Sequence, residues 1–226
     1  MEFAIGWLAP PDCLVCGLEG DALCPGCSAS DIKAFGERCW RCNSLSPGSK
    51  TCPKCRHIGP LNAVWISTNY EAAGRELVSQ YKFGQLRAAA PSLARIMTQT
   101  FLNYSGPATE SDYLVVALPT ATTRVRQRGF GHSELLAKTI AADLRMEYSN
   151  ALRRLGQTRQ LGSSREDRLV QLTDSFAVKS QRQIAGRHVL LIDDVLTTGG
   201  SLISAAKTLK LAGAKKIDAL VFAKRL

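Results

Sequence analysis

Residues 189–201 read Val-Leu-Leu-Ile-Asp-Asp-Val-Leu-Thr-Thr-Gly-Gly-Ser. An apolar run delivers two adjacent acids, Asp193 and Asp194. A turn of small and hydroxyl-bearing residues follows, Thr197, Thr198, Gly199, Gly200 and Ser201. Small residues let backbone N–H groups close around a phosphate, and Thr and Ser add hydroxyl donors. A helix starting at the turn brings roughly half a positive charge to the same place. The acids would repel that phosphate. They suit the two hydroxyls of a ribose, or a magnesium ion.

A second chemistry is written in the cysteines. All eight lie in four C-x2-C pairs: Cys13/Cys16, Cys24/Cys27, Cys39/Cys42 and Cys52/Cys55. A two-residue gap lets a tight turn aim two thiolates at one ion about 2.3 Å away, and two such knuckles complete a tetrahedron. Eight thiolates fill two sites and leave no open coordination position, so structural zinc is expected rather than catalytic zinc. Iron–sulfur ligation and a disulfide framework are the alternatives; the second requires an oxidising compartment. Spacing leaves sequential and crossed pairing of the knuckles open, and the sequential arrangement is favoured. His57 reads as a bystander.

These groups need elements to hold them. Residues 113–118 and 188–192 are continuous apolar runs of the kind found in buried parallel strands. Residues 63–70 and 217–223 read as further strands. Helical spacing is expected over 72–83, 88–104, 133–144 and 201–212. Strands alternating with helices imply an α/β fold, a parallel sheet with helices on both faces. Ligands of such sheets sit beyond the carboxyl ends of the strands, here the loops after Leu118 and Ile192.

Composition divides the chain. Of 29 basic and 19 acidic residues, 6 of each fall in 1–60, so the net +10 belongs wholly to 61–226. The cysteines all fall in the first part. A small Cys-rich module over 1–60 and a larger domain over 61–226 are therefore expected. A cationic domain attracts polyanions, including nucleic acid and phosphorylated small molecules. No run is long enough for a membrane span. The apolar stretch 3–9 is too short for a secretory leader and reads as a short helix. A cytoplasmic protein is expected.

The acid–turn–helix segment resembles the signature of type I phosphoribosyltransferases, which bind 5-phosphoribosyl-1-diphosphate (PRPP). More widely, the chain resembles the ComF/GntX family, in which a zinc ribbon precedes a phosphoribosyltransferase-like domain. The resemblance rests on Pro10-Pro11-Asp12-Cys13, on Tyr81-Lys82-Phe83, and on Leu118-Pro119 with Arg124 and Arg128-Gly129-Phe130. Thr158, Gln160, Arg168 and Phe176 extend it. Ala117 stands where the family has the first proline of Pro-x-Pro, and Gly131-His132 where it has Asn-Gln.

The resemblance implies that Asp193 and Asp194 face the ribose hydroxyls, that residues 197–201 cradle the 5-phosphate, and that magnesium accompanies PRPP. The diphosphate needs positive charge and amide donors. Pro119, Thr120 and the residues to Thr123 are candidates, with Arg124 and Arg128 as clamps and Lys82 as a further cation. Residues 157–168 suit a flap that closes over the site. The implied role is handling of single-stranded DNA, or contact with a DNA-processing protein, during natural transformation. The alternative is an active transferase moving ribose 5-phosphate from PRPP to a nucleobase or related acceptor. Trp40, Tyr81 and Phe130 could stack on bases, but core packing is the expected role of each.

Overall fold

The computed structural model describes residues 10–83, 86–105, 113–120, 130–155 and 175–225. The short helix expected over 3–9 lies outside them. In chain order the main elements are α1 (Pro25–Asp31), β1 (Val64–Asn69), α2 (Ala72–Lys82), α3 (Ala90–Ser105), β2 (Tyr113–Ala117) and α4 (His132–Asp143). They continue with β3 (Glu147–Ser149), β4 (Leu152–Arg154), β5 (Phe176–Val178), β6 (His188–Leu196), α5 (Gly200–Leu211) and β7 (Lys216–Lys224).

Five strands form one parallel sheet in the order β1-β7-β6-β2-β3. β4 and β5 pair antiparallel as a separate two-stranded unit. β2 and β6 are neighbours, yet the chain leaves β2 for β3 on one side and β6 for β7 on the other. Their carboxyl ends are thus a topological switch point, where loops diverge and leave a crevice.

Side chains alternate across the sheet and build two cores. Tyr113, Val115, Leu190 and Ile192 face the layer of α2, α3 and α4. Leu114, Val116, Val189 and Leu191 face α5 and the β4–β5 unit. Residues before 60 contribute to both. Cys13, Leu23 and Cys24 join the first core; Phe35 and Trp40 join the second.

The expected helices are present, with ends moved by one or two residues. Pro91 sits in the first turn of α3, where its missing N–H costs nothing. Gly213, at φ +92°, turns the chain out of α5. The strand expected to stop at Ile192 continues through Asp193 and Asp194 to Leu196. β7 is equally long and keeps pairing it, with Asp193 opposite Val221 and Leu196 opposite Lys224. The acids are therefore held in the strand rather than in the loop beyond it. The three-residue strands β3, β4 and β5 have no counterpart in the sequence reading, being too short to display a period.

Candidate functional site

At the switch point lies a cleft of about 310 Å³. β6 supplies Asp193, Asp194 and Val195, the turn after it supplies Thr197 and Ser201, and the end of β2 supplies Leu118, Pro119 and Thr120. Leu118 extends the ladder by donating its N–H to the Ile192 carbonyl at 2.9 Å, which fixes the two loops side by side. Lys82 reaches in from the last turn of α2.

The two acids differ in their surroundings. Asp193 Oδ1 accepts the Ser133 hydroxyl and the Asp194 backbone N–H, each at 3.0 Å. Burial, reinforced by the charge of Asp194, pushes the Asp193 carboxyl up to about 7; Lys82 and the two hydrogen bonds pull the other way. Asp194 is buried and paired with Lys82, Nζ to Oδ1 at 2.6 Å. An ammonium thus already occupies a cation position on this carboxylate.

The turn after β6 is open. Thr197, Thr198, Gly200 and Ser201 are exposed, while Gly199 is buried. Gly199 has φ +80° and stands at the N-cap of α5. The first amides of α5 lack intrahelical partners, and Ser201 of this first turn lines the cleft, a local arrangement suited to an anion. The turn is supported from below by the Trp40 ring, which lies so close that a β-carbon on Gly199 would overlap it.

The cysteines assemble in sequential pairs. Cys13, Cys16, Cys24 and Cys27 form one cluster, Cys39, Cys42, Cys52 and Cys55 the other, and the sulfurs of each lie within 4.8 Å of one another. Sulfur separations include 3.8 Å for Cys16–Cys24 and 3.5 Å for Cys42–Cys52. A tetrahedron with arms of about 2.3 Å has edges of about 3.8 Å, so both donor sets fit zinc. Burial works to raise the Cys13 thiol, but amides of Cys24, Cys16 and Val15 together bring it down to about 6. The Ser44 hydroxyl and amide, with Cys52, bring Cys42 down to about 6. Thiolate is thereby available at neutral pH in each cluster. His57 belongs to neither cluster.

The cleft brings together Asp193, Asp194, Thr197, Ser201, Pro119, Thr120 and Lys82 from the sequence reading. Arg124, Arg128, the amides of 121–123 and the flap over 157–168 lie outside the described residues. Tyr81 is fully buried with its hydroxyl donating to the His132 carbonyl at 2.8 Å. Trp40 is buried and donates its indole N–H to Thr51 Oγ1 at 3.0 Å. Phe130 carries the Arg87 guanidinium 4.9 Å above its ring. Each aromatic packs rather than standing free for a base.

The sequence reading did not place Ser133, Tyr70, Arg154 or Arg225 at the site; all four line the cleft. Arg225 had a readable signal, because it directly follows a buried strand at the end of the sheet where ligands bind. Ser133 had none, since its role depends on where α4 packs.

Residues 131–226 match the phosphoribosyl transferase domain family. The sheet, the switch-point cleft and the acid–turn–helix unit together define a phosphoribosyltransferase-type α/β domain, preceded by a zinc-ribbon-like module with two four-cysteine clusters. The chain is 26% identical over 204 residues to competence protein ComFC of Streptococcus pneumoniae, covering 88% of this chain and 86% of that one. It is 26% identical to competence protein F of Haemophilus influenzae, covering 88% of each chain. It is 25% identical over 199 residues to DNA utilization protein YhgH of Escherichia coli K12, covering 87% of this chain and 81% of that one. Over most of its length the chain is thus similar to competence and DNA utilization proteins of the ComF type. Among solved structures, the allosteric regulatory enzyme of purine biosynthesis aligns with TM-score 0.43 at 19% identity. That alignment covers 60% of this chain and a quarter (25%) of the enzyme's length.

Proposed function

We propose that this protein binds PRPP in the β2–β6 cleft and serves DNA uptake in natural transformation, handling incoming single-stranded DNA or a protein that processes it. One observation carries the reading: an acid pair and an open hydroxyl- and glycine-bearing turn at a helix start share a single crevice. Asp193 and Asp194 take the ribose hydroxyls, and residues 197–201 take the 5-phosphate. The diphosphate falls to Pro119 and Thr120, with Arg124 and Arg128 as its cations. The names of the relatives support the DNA role, and the net charge of +10 suits a polyanionic partner.

The chain works on this reading as two parts, a module with two structural zinc ions over 1–60 and the PRPP domain over 61–226. Magnesium, when bound, would supply positive charge that neutralises the diphosphate. Asp193 and Asp194 are the residues suited to hold it, and Lys82 supplies positive charge to the same carboxylates before it arrives. An active transferase is the second reading. Arg154 and Arg225 favour it, because they line the cleft in addition to the residues PRPP itself requires.

Calorimetry with PRPP and Mg2+ tests the site. Wild type binds, and the Asp193→Asn/Asp194→Asn variant loses at least about 10-fold in affinity. An absence of binding to wild type overturns the PRPP reading. Diphosphate release on adding nucleobases or DNA separates turnover from binding alone. DNA affinity that falls steeply between low and high salt supports the polyanion role, and salt-insensitive binding counts against it.

A further inference from the structure

The two cysteine clusters are not equivalent neighbours of the cleft. Cys39 and Cys42 bracket Trp40 and Arg41, and both intervening residues touch the turn that follows β6. The Trp40 ring lies against Gly199 closely enough to exclude any side chain there. Arg41 Nη1 reaches the Thr198 carbonyl at 3.4 Å. Trp40 is in turn fixed by a chain of hydrogen bonds. Its indole donates to Thr51 Oγ1 at 3.0 Å, and that hydroxyl donates to the Leu61 carbonyl at 2.7 Å. Thr51 adjoins Cys52, so the ring is held on both sides by ligands of one cluster. Gly59, just beyond Cys55, lies close enough to α5 that a β-carbon there would meet Ile203 at 3.1 Å.

We propose that the Cys39/Cys42/Cys52/Cys55 knuckle is a built wall of the anion-binding turn, with Trp40 as the positioning residue that sets the path of residues 197–201. Folding of this knuckle around its metal fixes the indole, and the indole fixes the left-handed Gly199 from which α5 begins. Preorganised amides bind an anion more tightly than amides that must first be ordered. The Cys13/Cys16/Cys24/Cys27 knuckle has no part in this. Its contacts run to α3, where Ser92 Oγ accepts the Leu23 N–H at 3.3 Å and Arg95 donates to the Leu23 carbonyl at 2.6 Å. The inference concerns the site assigned above to PRPP, and its first readout does not require PRPP to bind.

That readout is hydrogen exchange of the backbone amides of residues 198–202 in the full chain, alongside zinc content. Trp40→Ala retains about two zinc ions per chain and exchanges these amides at least about 10-fold faster. Trp40→Phe keeps an aromatic ring but loses the hydrogen bond to Thr51 and the outer indole atoms, so its exchange falls between wild type and Trp40→Ala. Cys42→Ser and Cys16→Ser each drop to about one zinc, but only Cys42→Ser speeds the turn. Wild-type exchange in Trp40→Ala and Cys42→Ser, or equal acceleration in Cys16→Ser, overturns the inference. Should Trp40→Ala not fold, the two cysteine variants and Trp40→Phe still decide it. PRPP titration of the same proteins then reads the consequence, a matching loss of affinity in Trp40→Ala and Cys42→Ser. Wild type that binds no PRPP removes the functional reading, while the exchange data judge the wall independently.

Discussion

The two four-cysteine knuckles have the same ligand chemistry and almost the same spacing, yet the buried residues they carry enter different cores of one sheet. The first feeds Cys13, Leu23 and Cys24 into the core shared with α2, α3 and α4. The second feeds Trp40 into the core shared with α5 and stands on the turn of the cleft. Equal local structure therefore has unequal consequences. A metal centre replaces the apolar core that so short a segment lacks, but what it rigidifies depends on which layer it docks against.

The largest expected effect sharpens this contrast at the first core. Leu23 is 1% exposed, and Leu23→Ala costs about 3 kcal/mol in urea melts through lost burial and a cavity. Exchange of the 198–202 amides below the unfolding transition stays unchanged. A local acceleration there would mean that the two knuckles communicate through the sheet, and the contrast would fail.

Gly199→Ala is the counterpart on the side of the second core. The residue sits at φ +80°, and a β-carbon meets the Trp40 ring. The cost is about 2 kcal/mol, with a loss of PRPP affinity that Leu23→Ala does not produce. If Gly199→Ala binds PRPP as wild type does, the left-handed turn and its indole floor are not what holds the anion.

A smaller effect comes from Asp193. Its folded-state affinity for a proton is raised by burial and by Asp194, to about 7. The folded chain therefore binds more protons than the unfolded chain between the ordinary carboxylate range and about pH 7. Stability is highest below that window and declines as pH rises through it. Asp193→Asn removes the decline and stabilises the ligand-free chain at pH 8 by about 1 kcal/mol. Each tenfold rise in proton affinity on folding corresponds to about 1.4 kcal/mol, and the weakened Ser133 hydrogen bond and the lost attraction to Lys82 offset part of the gain. Urea melts of both proteins at pH 5 and pH 8 measure it. A variant less stable than wild type at pH 8 would place the carboxylate among net stabilising contacts.

The smallest effect belongs to the rim of the first knuckle. Arg95 donates to Asp21 and to the Leu23 carbonyl, but its side chain is 40% exposed. Arg95→Gln costs no more than about 1 kcal/mol by thermal melting, and zinc content stays at wild-type level. Loss of zinc on this change would assign the ion pair a role in closing the cluster.

Much of the architecture was legible locally. Apolar runs over 113–118 and 188–192 mark buried strands because a parallel sheet covered on both faces demands hydrophobicity at every position. Two-residue gaps mark metal knuckles because a tight turn is the only route from one thiolate to the next. The paired acids and the Thr-Thr-Gly-Gly-Ser turn were legible as one unit because they are adjacent in sequence, and the structure brings Asp193, Asp194, Thr197 and Ser201 into one cleft. Sequential pairing of the knuckles, which spacing left open, was decided by how the segments fold back.

The tertiary structure alone decided the rest. The Lys82–Asp194 pair, the Ser133 hydrogen bond to Asp193 and the entry of Arg154 and Arg225 into the cleft depend on how helices and the β4–β5 unit pack on the sheet. The continuation of β6 through its acids depends on β7, whose length no reading of residues 188–196 contains. Arg41 and Thr198 are 157 residues apart. Short-range pattern reports which groups a segment offers; packing between distant segments selects their partners, and with them the charge state and rigidity of the site.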